Sequence, residues 1–436
     1  MKKTVLAVFL CVGLASFLCA TEKIILDNGL TILYKKAPES RLTIAMVFIG
    51  RGTYVEEESE AGVTTLCHRL MMKGTTTRTS LQIANEIEAM GGSMGPEVGN
   101  DYASMSLTIP TRYLAKGFEV FADVIKNPSF PPAEIEKEKD VMIAQIKSRN
   151  DGIFSYALDN FMEMFYDTFP YHRPEMGYEE TVKSIDTNAL IRCHAGIYIP
   201  NKMTLVIITK MDLKKVKQMA DKNLGSLMPL DRGTQKKYGV PDRKKTLIVE
   251  KHRDFIQGYI MLGYPAPGIN SPDYPAVKVI NDLVGGKSSS RIFVNLREKE
   301  GLAYELGSFF PSRKYAGSFV AYMGLRPDNI EKARNRLIDE IRDLPANVTE
   351  EEVLRSKASI IGKFFMAQAS SSMQVWYMGW YEVMGMGYEY NNEYPSQIAG
   401  VSIESIKEIH KKYFGRDNWV CLEIKPPVAQ ERTDLK

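Results

Sequence analysis

The sequence predicts an α+β protein that contains two copies of one fold. Residues 31–36, TILYKK, match residues 246–251, TLIVEK, when the chain is shifted by 215 residues. The same shift places residues 191–210 on residues 406–425, so the offset is constant at both ends of the match. A constant offset indicates two related half-chains. Each half mixes strands and helices without strict alternation, which favours the α+β class.

Strand and helix patterns recur in both halves. Each half opens with alternating apolar strands, KIILDNGLTILYKK and LTIAMVFIG in the first and KKTLIVEK and GYIMLGY in the second. Long helices are predicted at residues 131–150, which begin with prolines, and at residues 349–367, which begin with a capping box from Thr349 to Glu352. Each half ends in an apolar strand, KMTLVIIT or NWVCLEI. These repeats predict domains at 21–227 and 244–436, joined by a Pro-, Gly- and charge-rich linker at 228–243.

The first 20 residues have the pattern of a secretory signal peptide. Two lysines precede an apolar stretch, and small residues follow near Cys19 and Ala20. An uncleaved anchor and a lipoprotein modified at Cys19 are the alternatives; the stretch is short for a membrane span, and bulky residues precede Cys19. We therefore expect a periplasmic or secreted protein with no membrane span in the mature chain.

Charge and cysteine content exclude several classes of function. The whole chain carries a net charge of +3, and removal of Lys2 and Lys3 with the signal peptide leaves +1. A nearly neutral chain gives no reason to expect nucleic-acid binding. The mature chain keeps Cys67, Cys193 and Cys421, without a CxxC motif. We interpret these three residues mostly as small buried hydrophobic side chains.

One glycine-rich segment invites a nucleotide-binding interpretation. Residues 285–291, GGKSSSR, resemble part of a phosphate loop, but Asn281 stands where that motif needs its first glycine. A turn between two helices is the better prediction.

Residues 61–80, AGVTTLCHRLMMKGTTTRTS, predict an amphipathic helix followed by a polar turn. Thr65, His68 and Arg69 stand three and four residues apart, so they share one helical face. The segment resembles the zinc-motif helix of the M16 metallopeptidases, the insulinase and pitrilysin group, whose inverted motif is H-x-x-E-H. There the histidines hold Zn²⁺ and the glutamate is the general base. The resemblance covers nearly the whole mature chain and implies two repeats of an M16-type (LuxS/metallopeptidase-like) α+β domain.

When the helix is aligned on the KGT sequence that follows it, the five motif positions fall on Thr65, Leu66, Cys67, His68 and Arg69. The resemblance puts Thr65 and Arg69 at the two histidine positions and His68 at the general-base position. The third zinc ligand of the family, a glutamate on a later helix, falls on Gln145, and only the accessory acid is kept, as Glu138. We therefore expect no metal and no other cofactor in this chain.

A replacement metal site has little basis in these residues. Cys67 and His68 diverge by about 100° around a helix and would chelate poorly, and Arg69 places a permanent cation where the metal would bind. The structural alternative for His68 is a helix histidine hydrogen-bonded to Glu138 or Gln145.

The resemblance is strongest in the second half. Residues 285–308, GGKSSSRIFVNLREKEGLAYELGS, contain Arg297 and Tyr304 at the spacing of an arginine and a tyrosine that reach the active site in active members. A phenol hydroxyl and a fixed cation suit the negative charge that forms on the carbonyl oxygen during peptide hydrolysis. Residues 91–110 resemble the strand pair at the family's substrate edge.

The resemblance implies the Arg/Tyr subunit of a heterodimeric M16 zinc endopeptidase, in which the zinc is bound by a second subunit and a peptide is the substrate. A catalytically inactive scaffold or peptide-binding protein, like the M16-related core subunits of respiratory complexes, is the alternative. An autonomous peptidase with a new metal site is the third option.

Overall fold

The computed structural model describes residues 20–230 and 245–427. Residues 1–19 of the predicted signal peptide and residues 231–243 of the predicted linker lie outside these residues. Within them, no helix is both long enough and apolar enough to cross a membrane.

The first half of the chain supplies six strands: β1 Glu22–Ile25, β2 Thr31–Lys36, β3 Leu42–Ile49, β4 Ser93–Val98, β5 Ala103–Pro110 and β6 Met203–Thr209. They form one sheet in the order β1-β2-β6-β3-β5-β4. The second half supplies five strands: β7 Leu247–His252, β8 Gly258–Ala266, β9 Ala303–Phe309, β10 Gly317–Leu325 and β11 Val420–Lys425. Their order is β7-β11-β8-β10-β9. The second order repeats the first without β1, which confirms the predicted pair of α+β repeats.

The strand register also shows the repeat. In the first sheet β2 pairs in parallel with β6, with Ile32 opposite Leu205. In the second sheet β7 pairs in parallel with β11, with Leu247 opposite Val420. Both residues of the second pair lie 215 positions after those of the first, so the offset found in the sequence is preserved in the hydrogen-bonded ladder. The next neighbour, β3 or β8, is antiparallel in both sheets.

Helices fill the connections between strands. Their bounds are α1 Val63–Met71, α2 Ser80–Ala89, α3 Leu114–Lys126, α4 Pro132–Asp151, α5 Ile153–Tyr166, α6 Glu179–Ser184, α7 Thr187–Ile197, α8 Leu213–Leu224, α9 Tyr274–Val284, α10 Ile330–Arg342, α11 Leu344–Asn347, α12 Glu350–Gln368, α13 Ser371–Met384, α14 Tyr390–Ala399 and α15 Ile403–Tyr413, with a π-helix at Phe293–Lys299. The predicted helices at 131–150 and 349–367 correspond to α4 and α12. The predicted capping box is confirmed, because Thr349 Oγ1 accepts from the N–H of Glu352 at 3.3 Å and Glu352 Oε2 accepts from the N–H of Thr349 at 2.9 Å.

The compact units of the fold do not follow the two halves of the sequence. The described residues of one unit are 20–143, 175–230 and 368–391, and those of the other are 144–174, 245–367 and 392–427. In the first unit α13, which comes from the second half, packs on β3 and β6. In the second unit α5, which comes from the first half, packs on β8 and β11. Each sheet is therefore covered by a helix from the other half of the chain. The predicted domain boundaries, 21–227 and 244–436, remain a prediction.

Both of these exchanged helices meet their sheet at a glycine and a phenylalanine. In the first unit a β-carbon on Gly379 of α13 would lie 2.1 Å from Cδ2 of Phe48 on β3. In the second unit a β-carbon on Gly263 of β8 would lie 2.3 Å from Cζ of Phe161 on α5. Both phenylalanines are fully buried. Each glycine thus leaves the room in which an aromatic ring packs between helix and sheet.

Candidate functional site

Helix α1 is the helix predicted from residues 61–80, and a carboxylate fixes its start. Glu56 Oε2 accepts from the N–H of Gly62 at 2.9 Å, and its Oε1 accepts from the N–H of Thr64 at 2.7 Å. An anion at a helix N-terminus satisfies N–H groups that have no partner within the helix. Gly62 has φ 93°, and a β-carbon there would lie 2.5 Å from the carbonyl oxygen of Met176. Glu56 and Gly62 therefore fix the residue at which the helix begins, and with it the helix register.

The two positions aligned with zinc-binding histidines are engaged in other contacts. The Thr65 hydroxyl donates to the carbonyl oxygen of Glu175. The Arg69 guanidinium lies 3.4 Å from Glu138 Oε1, and the Lys73 ammonium lies 3.2 Å from Glu138 Oε2. The structure thus joins Arg69 and Glu138 in an ion pair that lies between α1 and α4. Two cations share the carboxylate that the sequence places at the accessory position.

The side chains at the predicted zinc positions do not fit a zinc ion. Zinc in proteins takes thiolate, imidazole and carboxylate ligands. A threonine hydroxyl that donates to a carbonyl and a permanently charged guanidinium are not members of that set. Among residues 20–230 and 245–427, no group of three or more His, Cys, Asp or Glu side chains is arranged to hold a metal ion.

The His68 side chain does not share the surroundings of Thr65 and Arg69. Its ring is fully buried, its Nδ1 donates to the carbonyl oxygen of Thr64 at 2.8 Å, and it packs against Tyr198 at 5.5 Å between ring centroids. Its Nε2 is buried and has no hydrogen-bond partner in the described part of the chain. The sequence-based alternative, a hydrogen bond from His68 to Glu138 or Gln145, was wrong. Residues 68 and 69 point about 100° apart, so Arg69 reaches Glu138 and His68 turns to the core.

Burial lowers the pKa of His68 from its ordinary value of 6.5 to about 4, with the charge of His194 as a smaller cause. Between those pH values the unfolded chain binds more protons than the folded chain, so stability falls as the pH falls through this window. We expect wild type to lose about 2–3 kcal/mol more than His68→Gln between pH 7.5 and pH 4.5, from the 1.36 kcal/mol equivalent of one pKa unit. Denaturant melts at both pH values measure this difference. His252→Gln, at an exposed histidine, is the control and should follow wild type; equal losses in all three proteins would show that His68 does not titrate in this way.

Gln145 lies on α4 seven residues after Glu138, almost two helical turns away, and is exposed. It offers an amide, which binds Zn²⁺ poorly in comparison with the carboxylate of the family's third ligand.

We expect the isolated chain to bind no stoichiometric zinc and to cleave no peptide. The reason is the chemistry of Thr65, Arg69 and Gln145 at the three ligand positions. Metal analysis after dialysis against zinc, together with a peptidase assay, measures this. The variant with Thr65→His, His68→Glu, Arg69→His and Gln145→Glu restores the motif on the helix register, and we expect it to bind zinc with little peptide cleavage, because the groups that orient zinc ligands are not restored with them. One tightly bound zinc per wild-type chain, lost on His68→Ala, would contradict our interpretation of α1.

Strand β4, which lies in the segment that resembles the family's substrate edge, is the last strand of its sheet in the described part of the chain. The N–H of Gly99 donates to the carbonyl oxygen of Tyr102 at 2.9 Å where the β4–β5 hairpin closes. Hydrogen-bonded pairs alternate along an antiparallel ladder, so Met94, Pro96 and Val98 direct their backbone groups to the open side. Pro96 has no N–H, which removes one donor from this edge.

An aromatic cluster beside β4 was not predicted from the sequence. Trp376 Nε1 donates to Glu97 Oε2 at 3.1 Å, and the Tyr102 hydroxyl donates to Glu97 Oε1 at 2.6 Å. Burial, followed by the bond to Glu97, raises the pKa of Tyr102. Trp376 also stacks on Trp380 at 5.1 Å between ring centroids. Because Trp376 belongs to the exchanged helix α13, no local pattern in the sequence brings it to Glu97.

Arg297 lies on the π-helix Phe293–Lys299, which follows the segment 285–291. That segment connects α9 to the π-helix, so the predicted helix-to-helix turn is confirmed. The Arg297 side chain is exposed and its guanidinium carbon lies 4.9 Å from the centroid of the Phe293 ring. Within residues 20–230 and 245–427, Arg297 forms no side-chain hydrogen bond or ion pair. π-Helices are rare in proteins, and those that occur often lie at functional sites.

Tyr304 lies close to Arg297 along the chain, after a tight turn. The N–H of Gly301, at φ 61°, donates to the carbonyl oxygen of Arg297 at 3.2 Å. Ala303 pairs with Leu325 and Glu305 with Gly324, so Tyr304 is the extra residue of a β-bulge in the edge strand β9. Its side chain is 60% exposed, and its hydroxyl has no hydrogen-bond partner among the described residues. Bulges redirect side chains and are common beside active sites.

Two family models match consecutive parts of the chain. A model described as Insulinase (Peptidase family M16) matches residues 31–178, and a model described as Peptidase M16 inactive domain matches residues 184–360. The first covers the helix with the altered zinc positions, and the second covers Arg297 and Tyr304.

Similar proteins and structures span most of this chain. An uncharacterized zinc protease of Rickettsia felis is 27% identical over 344 residues, which are 79% of this chain and 82% of that protein. An uncharacterized zinc protease of Mycobacterium leprae is 25% identical over 88% of this chain and 87% of its own length. The crystal structure of a protease from Helicobacter pylori has a TM-score of 0.87 at 20% identity, covering 94% of this chain and 100% of that chain. A peptidase M16 inactive domain from Pseudomonas fluorescens has a TM-score of 0.86 at 22% identity, covering 94% and 99%.

The two M16 models follow each other along the chain, and their matched regions include parts of both repeats of the fold. The chain therefore belongs to peptidase family M16.

Proposed function

We propose that this chain is the non-zinc subunit of an exported heterodimeric M16 zinc endopeptidase. It supplies Arg297 and Tyr304 to the peptide in an active site whose zinc ion is bound by a second M16 subunit. The observation that carries the proposal is the contrast between the two sites of this chain. The zinc positions are altered and closed by internal contacts, whereas Arg297 and Tyr304 are both kept and both directed outward.

The placement of the pair supports a role in binding and in charge stabilisation. Arg297 and Tyr304 lie on a π-helix and at a bulge, two irregular features that present side chains away from regular packing. The Tyr304 hydroxyl would donate to the carbonyl oxygen of the scissile peptide as negative charge develops there. The planar guanidinium of Arg297 offers several donors to peptide carbonyls. Neither side chain must break an internal hydrogen bond to do so.

In this proposal the peptide binds as an added strand along a sheet edge, with its side chains in flanking pockets. The family resemblance points to β4 as that edge in the first repeat. An edge that lacks the N–H of Pro96 still presents the N–H groups of Met94 and Val98 and the outward carbonyls. Main-chain pairing of this kind would hold many peptide sequences, so the substrate class is an extended polypeptide.

Export rests on the first 20 residues. A charged start, an apolar stretch and a small-residue end favour cleavage after Ala20 and release into the periplasm or the medium. N-terminal sequencing of the chain recovered from those fractions measures the cleavage site.

A catalytically inactive scaffold or peptide-binding protein is the second candidate. The observation that favours it is the ion pair of Arg69 with Glu138, in which a permanent cation takes the place of a zinc ligand that the family resemblance assigns to residue 69. Arg297 and Tyr304 would then be surface residues without a role in cleavage.

Co-expression tests the proposal. The tagged chain is produced alone and with an M16 chain from the same genome that has an intact H-x-x-E-H motif, and both preparations are assayed for zinc and for peptide cleavage. We expect the two chains to co-purify, with zinc and activity in the complex and neither in this chain alone. Full activity of the second chain without this one, or failure of the two to associate, would favour the scaffold.

A further inference from the structure

Two cysteines from distant parts of the sequence lie side by side in the first unit. Cys67 is on α1, Cys193 is on α7, and the two helices pack together. The Cys67 Sγ lies 3.9 Å from the carbonyl oxygen of Leu190, which is three residues before Cys193 on α7. Hydrogen bonding to the Cys193 side chain, followed by burial, raises the pKa of Cys67 well above its ordinary value. Both thiols are free.

The two thiols differ in their access to solvent. Cys67 is fully buried, whereas Cys193 is half-buried. Cys421, the third described cysteine, is buried in β11 of the other unit. This arrangement gives one half-buried cysteine, one fully buried cysteine beside it, and one separate cysteine that serves as an internal control.

A metal site does not explain the pair. Each of the two cysteines is followed by a histidine, a sequence pattern that would suggest a Cys₂His₂ zinc site. One nitrogen of each ring has another partner, because His68 Nδ1 donates to the Thr64 carbonyl at 2.8 Å and His194 Nε2 lies 2.8 Å from the Ile125 carbonyl. Among the described residues, no group of three or more His, Cys, Asp or Glu side chains is arranged to hold a metal ion.

We propose that Cys67 and Cys193 form a disulfide that ties the altered zinc helix α1 to α7 when an external disulfide is present. The thiolate of Cys193 attacks one sulfur of that disulfide, and a mixed disulfide forms as the first external thiolate leaves. Cys67 then loses its proton, its sulfur attacks Cys193 Sγ, and the second external thiolate leaves. Two protein thiols are oxidised, one external disulfide is reduced to two thiols, and the two protons end on the released thiolates.

The cross-link has measurable consequences. It closes a loop from residue 67 to residue 193, and a loop of that length removes much conformational freedom from the unfolded chain. We expect a rise in the Tm of the first unit on the order of 5 °C or more. The second step is slow, because the Cys67 thiol must ionise in an apolar site. This inference does not depend on the proposed role in peptide cleavage.

The test uses the full chain in buffers of oxidised and reduced glutathione, quenched with an alkylating reagent and mapped by mass spectrometry. We expect a peptide pair joined through Cys67 and Cys193, lost in Cys67→Ser and in Cys193→Ser and kept in the control Cys421→Ser. The Tm should rise on oxidation in wild type and Cys421→Ser alone. Recovery of Cys67 as a free thiol in excess oxidised glutathione would overturn the proposal, whether Cys193 is then free or carries glutathione. A cross-link from Cys67 to any other cysteine would overturn it as well.

Discussion

Tyr304→Phe in the assembled peptidase is expected to lower kcat by about 10²–10³, equivalent to about 3–4 kcal/mol of transition-state stabilisation. The substitution keeps the ring on the bulge of β9 and removes only the hydroxyl. Because that hydroxyl has no internal partner among the described residues, its loss leaves no buried group unsatisfied and should not change folding or assembly. The oxygen to which it donates becomes fully charged only in the transition state, so the loss should fall on kcat rather than on KM.

Arg297→Ala is expected to produce a similar loss with a different distribution. A guanidinium can bind a peptide carbonyl before any charge develops, so part of the effect should appear as a higher KM. The side chain is exposed and contacts Phe293, so its removal costs little packing. Steady-state kinetics of the complex, with size-exclusion chromatography and zinc analysis of the same samples, separates catalysis from assembly. The zinc content should equal that of wild type.

Matched substitutions elsewhere on the surface control for the loss of a phenol or a guanidinium. Tyr113→Phe removes a hydroxyl from a tyrosine that is 36% exposed. Arg355→Ala removes an arginine whose surface pair with Glu351, at 3.7 Å, should contribute little. Both controls should cleave at the wild-type rate. If Tyr304→Phe and Arg297→Ala also assemble normally and cleave at that rate, the chain is a scaffold.

The repeat could be predicted from the sequence because strand register is a local property. The 215-residue offset survives as the pairing of Ile32 with Leu205 and of Leu247 with Val420, and a slip by one residue would turn every apolar side chain to the wrong face. The exchange of α5 and α13 could not be predicted in this way. The sequence of an amphipathic helix shows which of its faces is buried but not which sheet covers that face. The two sheets have similar apolar faces, so the sequence does not show which of them each helix packs on.

The candidate site, like the fold, was predicted only in part from the sequence. The family resemblance assigned Arg69 and Glu138 to one site, and the structure joins these two side chains in an ion pair between α1 and α4. The contacts of His68 were predicted wrongly, since a 100° step on a helix separates a residue that faces a neighbouring helix from one that faces the core. The contact between Cys67 and Cys193 depends on how α1 packs on α7, which residue spacing does not report.

Phe161→Ala is the second substitution with a large expected effect, and it tests the exchanged helix α5. Phe161 is fully buried, stacks on Phe165 at 5.4 Å between ring centroids, and fills the space above Gly263 of β8. Removal of a buried phenylalanine leaves a cavity and costs about 3–5 kcal/mol. For a unit of this size that loss should lower the Tm by roughly 6–20 °C.

The control is Phe365→Ala on α12, which makes the same chemical change at a side chain that is 58% exposed and should cost less than about 1 kcal/mol. Hydrogen exchange adds a local measurement, because Phe161→Ala should expose the amides of α5 and of its supporting strand β8 together. Gly379→Leu provides the reciprocal test, since its side chain would collide with Phe48 and should loosen α13 from β3. If Phe161→Ala melts like wild type and like the Phe365→Ala control, α5 is not anchored through this ring. The exchange of helices would then add little to the stability of its sheet, and the glycine at 263 would be without a structural reason.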